Sequence, residues 1–387
     1  MKKIVAAAAA ALLLAGAAFA ADISFSYTGS NYFKSSGGNL SYNNRTDCMS
    51  ITLSSATSGV CLDFDTTDGK SFAQDSYYGW LNFGIPTGNL EITAGVWNSR
   101  YVNRVNTDAG DLEGKDFEAY KPGVINGTIG NDSDNLTEGK IAMVAAYTND
   151  DLLPGKLMVK LGLAKSTWNP DASSATSTTG NKEPVDGDLS LASGFVGEIA
   201  YNAADLLNVN LAVKSYVKNN YSFALFVSPL NINKVDLTVG GTFAIVKPWN
   251  STAKDWGNDG SEWGIDLRGR YKLSDTLSVT TMHNLSSGYD SIADTNTMIL
   301  WDMLNVNYIM DEQITLGCTL NAEFNNLDSD HVFTGANVTT SPYVAIKATE
   351  RVSVTTSMRF AVSELNPKID GHETLDVTVP VIFTFNY

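Results

Sequence analysis

Leu375-Asp376-Val377-Thr378-Val379-Pro380-Val381-Ile382-Phe383-Thr384-Phe385-Asn386-Tyr387, the last 13 residues of the chain, carries an apolar side chain at every odd position. A period of two puts alternate side chains on opposite faces of an extended strand, so this stretch predicts a strand with one apolar face. The same alternation recurs upstream at Leu157, Val159, Leu161, Leu163 and again at Val235, Leu237, Val239, Gly241, Phe243, Ile245. It returns at Trp263, Ile265, Leu267, Gly269, Tyr271. No segment of comparable length has the 3.6-residue period of an amphipathic helix. The 32 glycines, 16 Tyr, 16 Phe and 7 Trp among 387 residues suit turns and pleated surfaces, and point the same way.

The connections alternate in length. Tight turns are expected at Pro86-Thr87-Gly88, Leu153-Pro154-Gly155, Pro229-Leu230-Asn231, Ser274-Asp275, Asp311-Glu312 and Thr349-Glu350. Between them lie polar segments at 34–47, 99–138, 166–188, 248–261, 286–295, 325–337 and 363–373. Turns at one end and loops at the other describe an antiparallel up-and-down barrel that crosses a membrane; a sandwich or propeller has no reason to segregate loop lengths. Eighteen strands result, the first at 23–33 and the last at 374–387, or 16 if the short hairpin around Ser54-Ser55 lies outside the wall. In 296–309 the apolar parity changes between Ile299, Trp301, Met303 and Leu304, Val306, Tyr308, which predicts a β-bulge.

The N-terminus reads as an address rather than as structure. Lys2 and Lys3 precede an apolar stretch from Ile4 to Leu14 and an Ala18-Phe19-Ala20 cleavage site, so residues 1–20 are expected to be a cleaved secretory signal peptide. The barrel then occupies 21–387. Beyond the signal no run of 18 apolar residues exists, so a membrane-embedded mature chain has to be a closed barrel. The chain has 42 acidic and 26 basic residues, and losing Lys2 and Lys3 takes its formal charge from −16 to −18. That balance excludes nucleic acid, whose phosphates need clustered Lys and Arg. Three histidines and three cysteines offer little material for a metal site, and no cofactor is expected.

The terminal aromatic strand, the signal peptide and the loop rhythm together resemble the outer-membrane β-barrels, and within them the general diffusion porins. Nothing before Ile23 resembles a plug domain. The resemblance implies passive diffusion of small hydrophilic solutes and ions through a water-filled lumen in the outer membrane. It also implies that Phe385 and Tyr387 are read by the barrel-assembly machinery, and that a homotrimer is the usual assembly.

If the apolar parity faces lipid, Lys160, Lys214, Arg268, Arg270, Lys347 and Arg359 enter the lumen, where charge is cheap. Glu91, Glu198, Asp236, Asp266 and Glu323 fall on the same parity, and with the overall charge they predict a weak cation preference. Loop 99–138 carries Asp108, Asp111, Glu113, Asp116 and Glu118, and it is expected either to fold inward as an acidic constriction or to remain an ordinary solvated loop. Cys48 and Cys61 lie six residues either side of Ser54-Ser55, and a disulfide is expected between them in an oxidising compartment. Two other readings stay open. One is a structural or adhesive barrel acting through its loops. The other is a barrel hydrolase using His331 or His372, each near an aspartate in an external loop, although no matching serine stands out.

Overall fold

The structure is a computed structural model that describes residues 22–36, 39–66, 73–97, 140–149, 155–164, 195–203, 206–217, 220–230, 232–246, 249–250, 255–256, 258–290, 295–325, 335–365 and 374–386. All regular structure among these residues is β. The first half contributes β1 (Asp22–Ser36), β2 (Asn39–Ser54), β3 (Ser58–Thr66), β4 (Ala73–Ile85), β5 (Gly88–Trp97), β6 (Lys140–Asn149), β7 (Lys156–Ala164), β8 (Phe195–Asn202) and β9 (Leu207–Val217). Next come β10 (Asn220–Pro229), β11 (Val235–Val246) and a small hairpin of β12 (Trp249–Asn250) and β13 (Asp255–Trp256). The second half holds β14 (Gly260–Lys272), β15 (Leu277–Asp290), β16 (Thr295–Ile309), β17 (Ile314–Asn325), β18 (Gly335–Lys347), β19 (Val352–Ser357), β20 (Arg359–Leu365) and β21 (Thr374–Asn386).

Apart from the β12–β13 hairpin, these strands form one antiparallel sheet of 19 segments that closes on itself. Closure is made by β1 and β21, paired from Ser26 opposite Asn386 to Ser36 opposite Asp376. Closure leaves no edge strand, so every wall strand finds backbone partners on both sides. The hairpin around Ser54-Ser55 is in the wall, with β2 paired to β1 and β3 paired to β4.

Nineteen segments differ from the 18 or 16 strands expected, and the extra one has a local cause. Both β19 and β20 pair with β18 on one side and β21 on the other, and the break between them is at Met358. Extending those registers puts Pro342 opposite Met358 and Pro380 opposite Ser357. Neither proline has an N–H to give the ladder, so regular pairing lapses at that level from both sides. The Met358 N–H still reaches the Pro342 carbonyl at 3.0 Å, and the two segments continue one line of the wall.

The sheet is built inside out. Leu161, Ile199, Leu211, Leu225, Phe243, Ile265, Leu320 and Phe383 expose 43–55% of their surface, although each lies mid-strand. Residues of the opposite parity include Glu198, Asn210, Thr238, Arg268, Thr280, Thr319 and Ser341, all at most 4% exposed. Such an arrangement is stable only if the outer face meets hydrocarbon and the inner face meets water or polar groups. The described strand ends that flank the short turns expected from the sequence fall at one end of the barrel, that of Asp22 and Asn386. Gly88 opens β5 at one of them with φ 151°, where a side chain would strike the Thr148 carbonyl.

Two sequence expectations fail here. β16 pairs with β15 and β17 in unbroken register, so there is no bulge; instead Trp301 and Met303 point inward, 2% and 4% exposed, while Leu304, Val306 and Tyr308 point outward. The polar stretch 34–47 is mostly strand, since β1 runs to Ser36 and β2 begins at Asn39.

Candidate functional site: the inner wall of the barrel

The inward parity of β11 and β14 assembles the densest set of charges among the described residues. Asp266, Arg268, Arg270 and Lys272 follow each other on one face of β14, and Asp236 stands opposite Arg270 on β11. Arg268, almost wholly buried, donates from Nε and Nη2 to the two oxygens of Asp266, each at 2.8 Å. That fork-on-fork geometry holds the guanidinium flat along the wall and neutralises it. Arg270 donates from Nε at 2.9 Å and Nη2 at 2.8 Å to Oδ2 of Asp236, which Lys272 also approaches at 3.7 Å. One carboxylate thus serves two cations, and the group keeps one net positive charge. Lys272 was missed in the sequence reading, although it is the next residue of the same parity after Arg270.

Asp236, Arg270 and Lys272 of this cluster face a cavity of about 1080 Å³ at the end of the short turns. Ser228, Asp236, Arg270, Lys272, Ser278 and Asn307 supply polar groups to its lining, and Leu230, Ile232 and Ile309 supply apolar ones. Lys234, in the turn before β11, also lines it, with φ at 62°.

The remaining predicted basic residues are distributed around the wall. Lys160 on β7 stands directly opposite Glu198 on β8. Glu198 is 1% exposed and takes a hydrogen bond from the Asn210 amide. Lys214 has the inward parity of β9; its side chain is outside the described residues. Lys347 is exposed near the turn end of β18, and Arg359 is half-buried on β20. Lys34 pairs with Asp376 at 2.8 Å across the closure seam. Hence only Arg268 and Arg270 come together as the spacing predicts, and the described inner charges sit mostly in opposed pairs.

Between the charges the inner wall is made of amides, hydroxyls and a few large rings. Asn305 donates to Thr319 at 2.8 Å, and Ser228 and Thr238 are hydrogen-bonded at 2.7 Å. Three rings lie across glycines of a neighbouring strand. A Cβ on Gly59 would meet the Trp80 ring at 2.1 Å, one on Gly240 the Phe226 ring at 2.1 Å, and one on Gly317 the Tyr343 ring at 2.2 Å. Each glycine makes room for a ring to lie flat on the wall. Alternation alone hides these residues, because an inward aromatic looks like a parity error; the glycine opposite is the signal that could have found them.

The cysteine expectation is corrected. The turn of the β2–β3 hairpin centres on Ala56-Thr57, with Ser54 opposite Gly59, so Cys61 faces Thr52 and Cys48 faces Asp65. The two cysteines are four residues out of register, about 13 Å along the strands, beyond the roughly 7 Å that a disulfide spans between Cα atoms. Neither is in a disulfide, and Cys61 makes 3.4 Å contacts with Thr52 and Asp63. Cys318 lies on the outer face, 3.7 Å from Thr340.

Phe385 is on the outer face of β21, its ring 6.3 Å from that of Phe25. Tyr387, the expected signal peptide at 1–20, the acidic residues Asp108, Asp111, Glu113, Asp116 and Glu118, and both His331 and His372 lie outside the described residues.

No family model and no curated protein matches the chain. Solved structures do. OccK11 (OpdR) of Pseudomonas aeruginosa superposes with a TM-score of 0.56 at 7% identity, covering 95% of this chain and 96% of that one. The anion-selective porin from Comamonas acidovorans gives 0.51 at 8% identity, covering 95% and 100%. The outer membrane channel DcaP of Acinetobacter baumannii gives 0.50 at 11% identity, covering 95% and 97%. At these identities the likeness is one of fold: this chain has the closed antiparallel barrel of the outer-membrane porins.

Proposed function

We propose that the protein is an outer-membrane porin that lets small hydrophilic solutes and ions diffuse passively, with a weak preference for cations. The observation that carries this reading is the inversion of the wall. Leucines and phenylalanines half exposed on the outside and Arg268, Glu198 and Asp236 on the inside suit a barrel in lipid around a wet lumen. The leader at residues 1–20 supplies the export route, with the mature chain starting at Ala21 and Phe385 and Tyr387 marking it for the assembly machinery. The shared fold supports the reading, and the channels of that fold differ in preference, one being described as anion-selective.

The cation preference rests on the acidic excess of the chain and on the acidic loop 99–138, which narrows the lumen in this reading. The described wall contributes little to it, because Arg268 is matched by Asp266 and Arg270 by Asp236. Proteoliposome swelling tests the proposal: uncharged sugars of increasing size should enter at falling rates with a sharp cutoff. A reversal potential in a potassium chloride gradient should favour potassium slightly. Absence of swelling with any solute, in liposomes that contain folded protein, would shift the function to the external loops and favour an adhesive barrel.

A further inference from the structure

One outward-facing feature breaks the inside-out rule. On β15 the buried, inward residues are Thr280, Met282 and Ser286, so His283 points outward; on β16 they are Trp301, Met303 and Asn305, so Asp302 points outward too. The two are directly opposite in the ladder, with His283 Nδ1 2.7 Å from Asp302 Oδ1. They are the only His, Asp, Glu, Lys or Arg on the outward parity among the described strand side chains. Their place is the middle of the wall: His283 is the seventh of 14 residues in β15, and Asp302 the eighth of 15 in β16. Leu267 and Ala322 flank them in the same row, Leu285 and Leu300 lie on one side, and Thr281 and Leu304 on the other. Side-chain exposures of 43% and 35% leave both groups open to whatever surrounds the barrel. Hydrocarbon is a poor surrounding for a carboxylate and an imidazole at this height.

We infer that this face is covered by a second copy of the chain, docked about a two-fold axis along the membrane normal through the β15–β16 face. Copies inserted in one direction are related only by axes parallel to that normal. A two-fold axis exchanges left and right while keeping height. It therefore brings His283 of one copy against the partner's Asp302, and Asp302 against the partner's His283. The patch is complementary to itself, which is the requirement of an isologous contact. Each carboxylate then lies against imidazoles of both copies, and four polar groups leave the hydrocarbon together. A three-fold arrangement, usual in the family resembled, would set the pair against a different outer patch; among the described side chains no second charged patch exists to receive it. The inference rests on the barrel lying in a membrane, and not on its being open to solutes.

The test is the copy number of the full-length folded protein in lipid nanodiscs, read by native mass spectrometry in buffer with a chelator. The wild type should carry two copies. His283→Asp, with carboxylates at both positions, and Asp302→His, with imidazoles at both, should each fall to one copy while keeping the heat-modifiable gel mobility of a folded barrel. Mixing those two variants should restore a two-copy species with one chain of each, and the exchange variant H283D/D302H should stay paired. One or three copies of the wild type, or a mixture that stays unpaired, overturns the inference. If a single variant does not fold, cross-linking decides. Thr281→Cys chains and differently tagged Leu304→Cys chains, both carrying Cys318→Ser, should form a mixed disulfide in intact membranes, and its absence overturns the docking.

Discussion

Arg268 is the side chain whose loss should be felt most inside the barrel. Its side chain is 5% exposed and its guanidinium donates to both oxygens of Asp266, whose side chain is 17% exposed. Arg268→Gln leaves that carboxylate without its counter-ion in a poorly hydrated place, and should cost roughly 3 kcal/mol of stability, the low end for breaking a buried pair. Urea unfolding in lipid vesicles measures it, and D266N/R268Q should recover part of the loss. Gly317→Val makes a steric prediction: the new side chain has to displace the Tyr343 ring into the lumen, at about 1–3 kcal/mol for an overpacked contact, and should lower the single-channel current. Residue-level legibility was uneven. Parity in the sequence puts Arg268 and Arg270 on one face of β14, and the β11–β14 register has them on that face. The cysteine register was misjudged, since Ser54-Ser55 and Ala56-Thr57 are equally good turn sequences and moving the turn centre by two residues shifts every partner by four.

Strands and turns were the most legible level, since lipid enforces alternation wherever a strand crosses it. Leu375 to Phe385 reads without ambiguity for that reason. At the start of β2, Leu40 and Tyr42 alternate with Asn39, Ser41 and Asn43, but two apolar residues set in a polar run are too few to mark a strand. In β16 the alternation was present but misread, because Trp301 and Met303 are apolar residues that the lumen accommodates. Leu161→Arg tests the outer face at the level of one strand. Lys160 already occupies the inner face one residue away, yet an arginine at Leu161, 55% exposed outward, should cost about 2–4 kcal/mol near the bilayer midplane. A destabilisation below about 1 kcal/mol would mean that this face does not contact hydrocarbon. Closure makes a second test. Deleting residues 382–387 removes five of the 11 β1–β21 pairs, from Ser26–Asn386 to Ser30–Ile382. The truncated chain should accumulate unassembled in the periplasm and show no heat-modifiable band.

At the scale of the whole molecule, a polar lumen inside an apolar wall accounts for the large outer exposure of leucine and phenylalanine and for the burial of Glu198 and Arg268 alike. The described wall is nearly charge-balanced, so the cation preference we propose rests on the loops and on the excess of 42 acidic over 26 basic residues. Replacing Asp108, Asp111, Glu113, Asp116 and Glu118 by their amides should bring the potassium-to-chloride permeability ratio toward one without changing stability; an unchanged ratio would put that loop outside the ion path. The barrel is legible in the sequence because alternation is local, whereas where loop 99–138 packs depends on contacts that no local pattern encodes. The most direct measurement is single-channel recording of the refolded, heat-modifiable protein in a planar bilayer. Discrete current steps of uniform size are predicted, and a silent membrane containing folded barrel would contradict the account of an open, water-filled lumen.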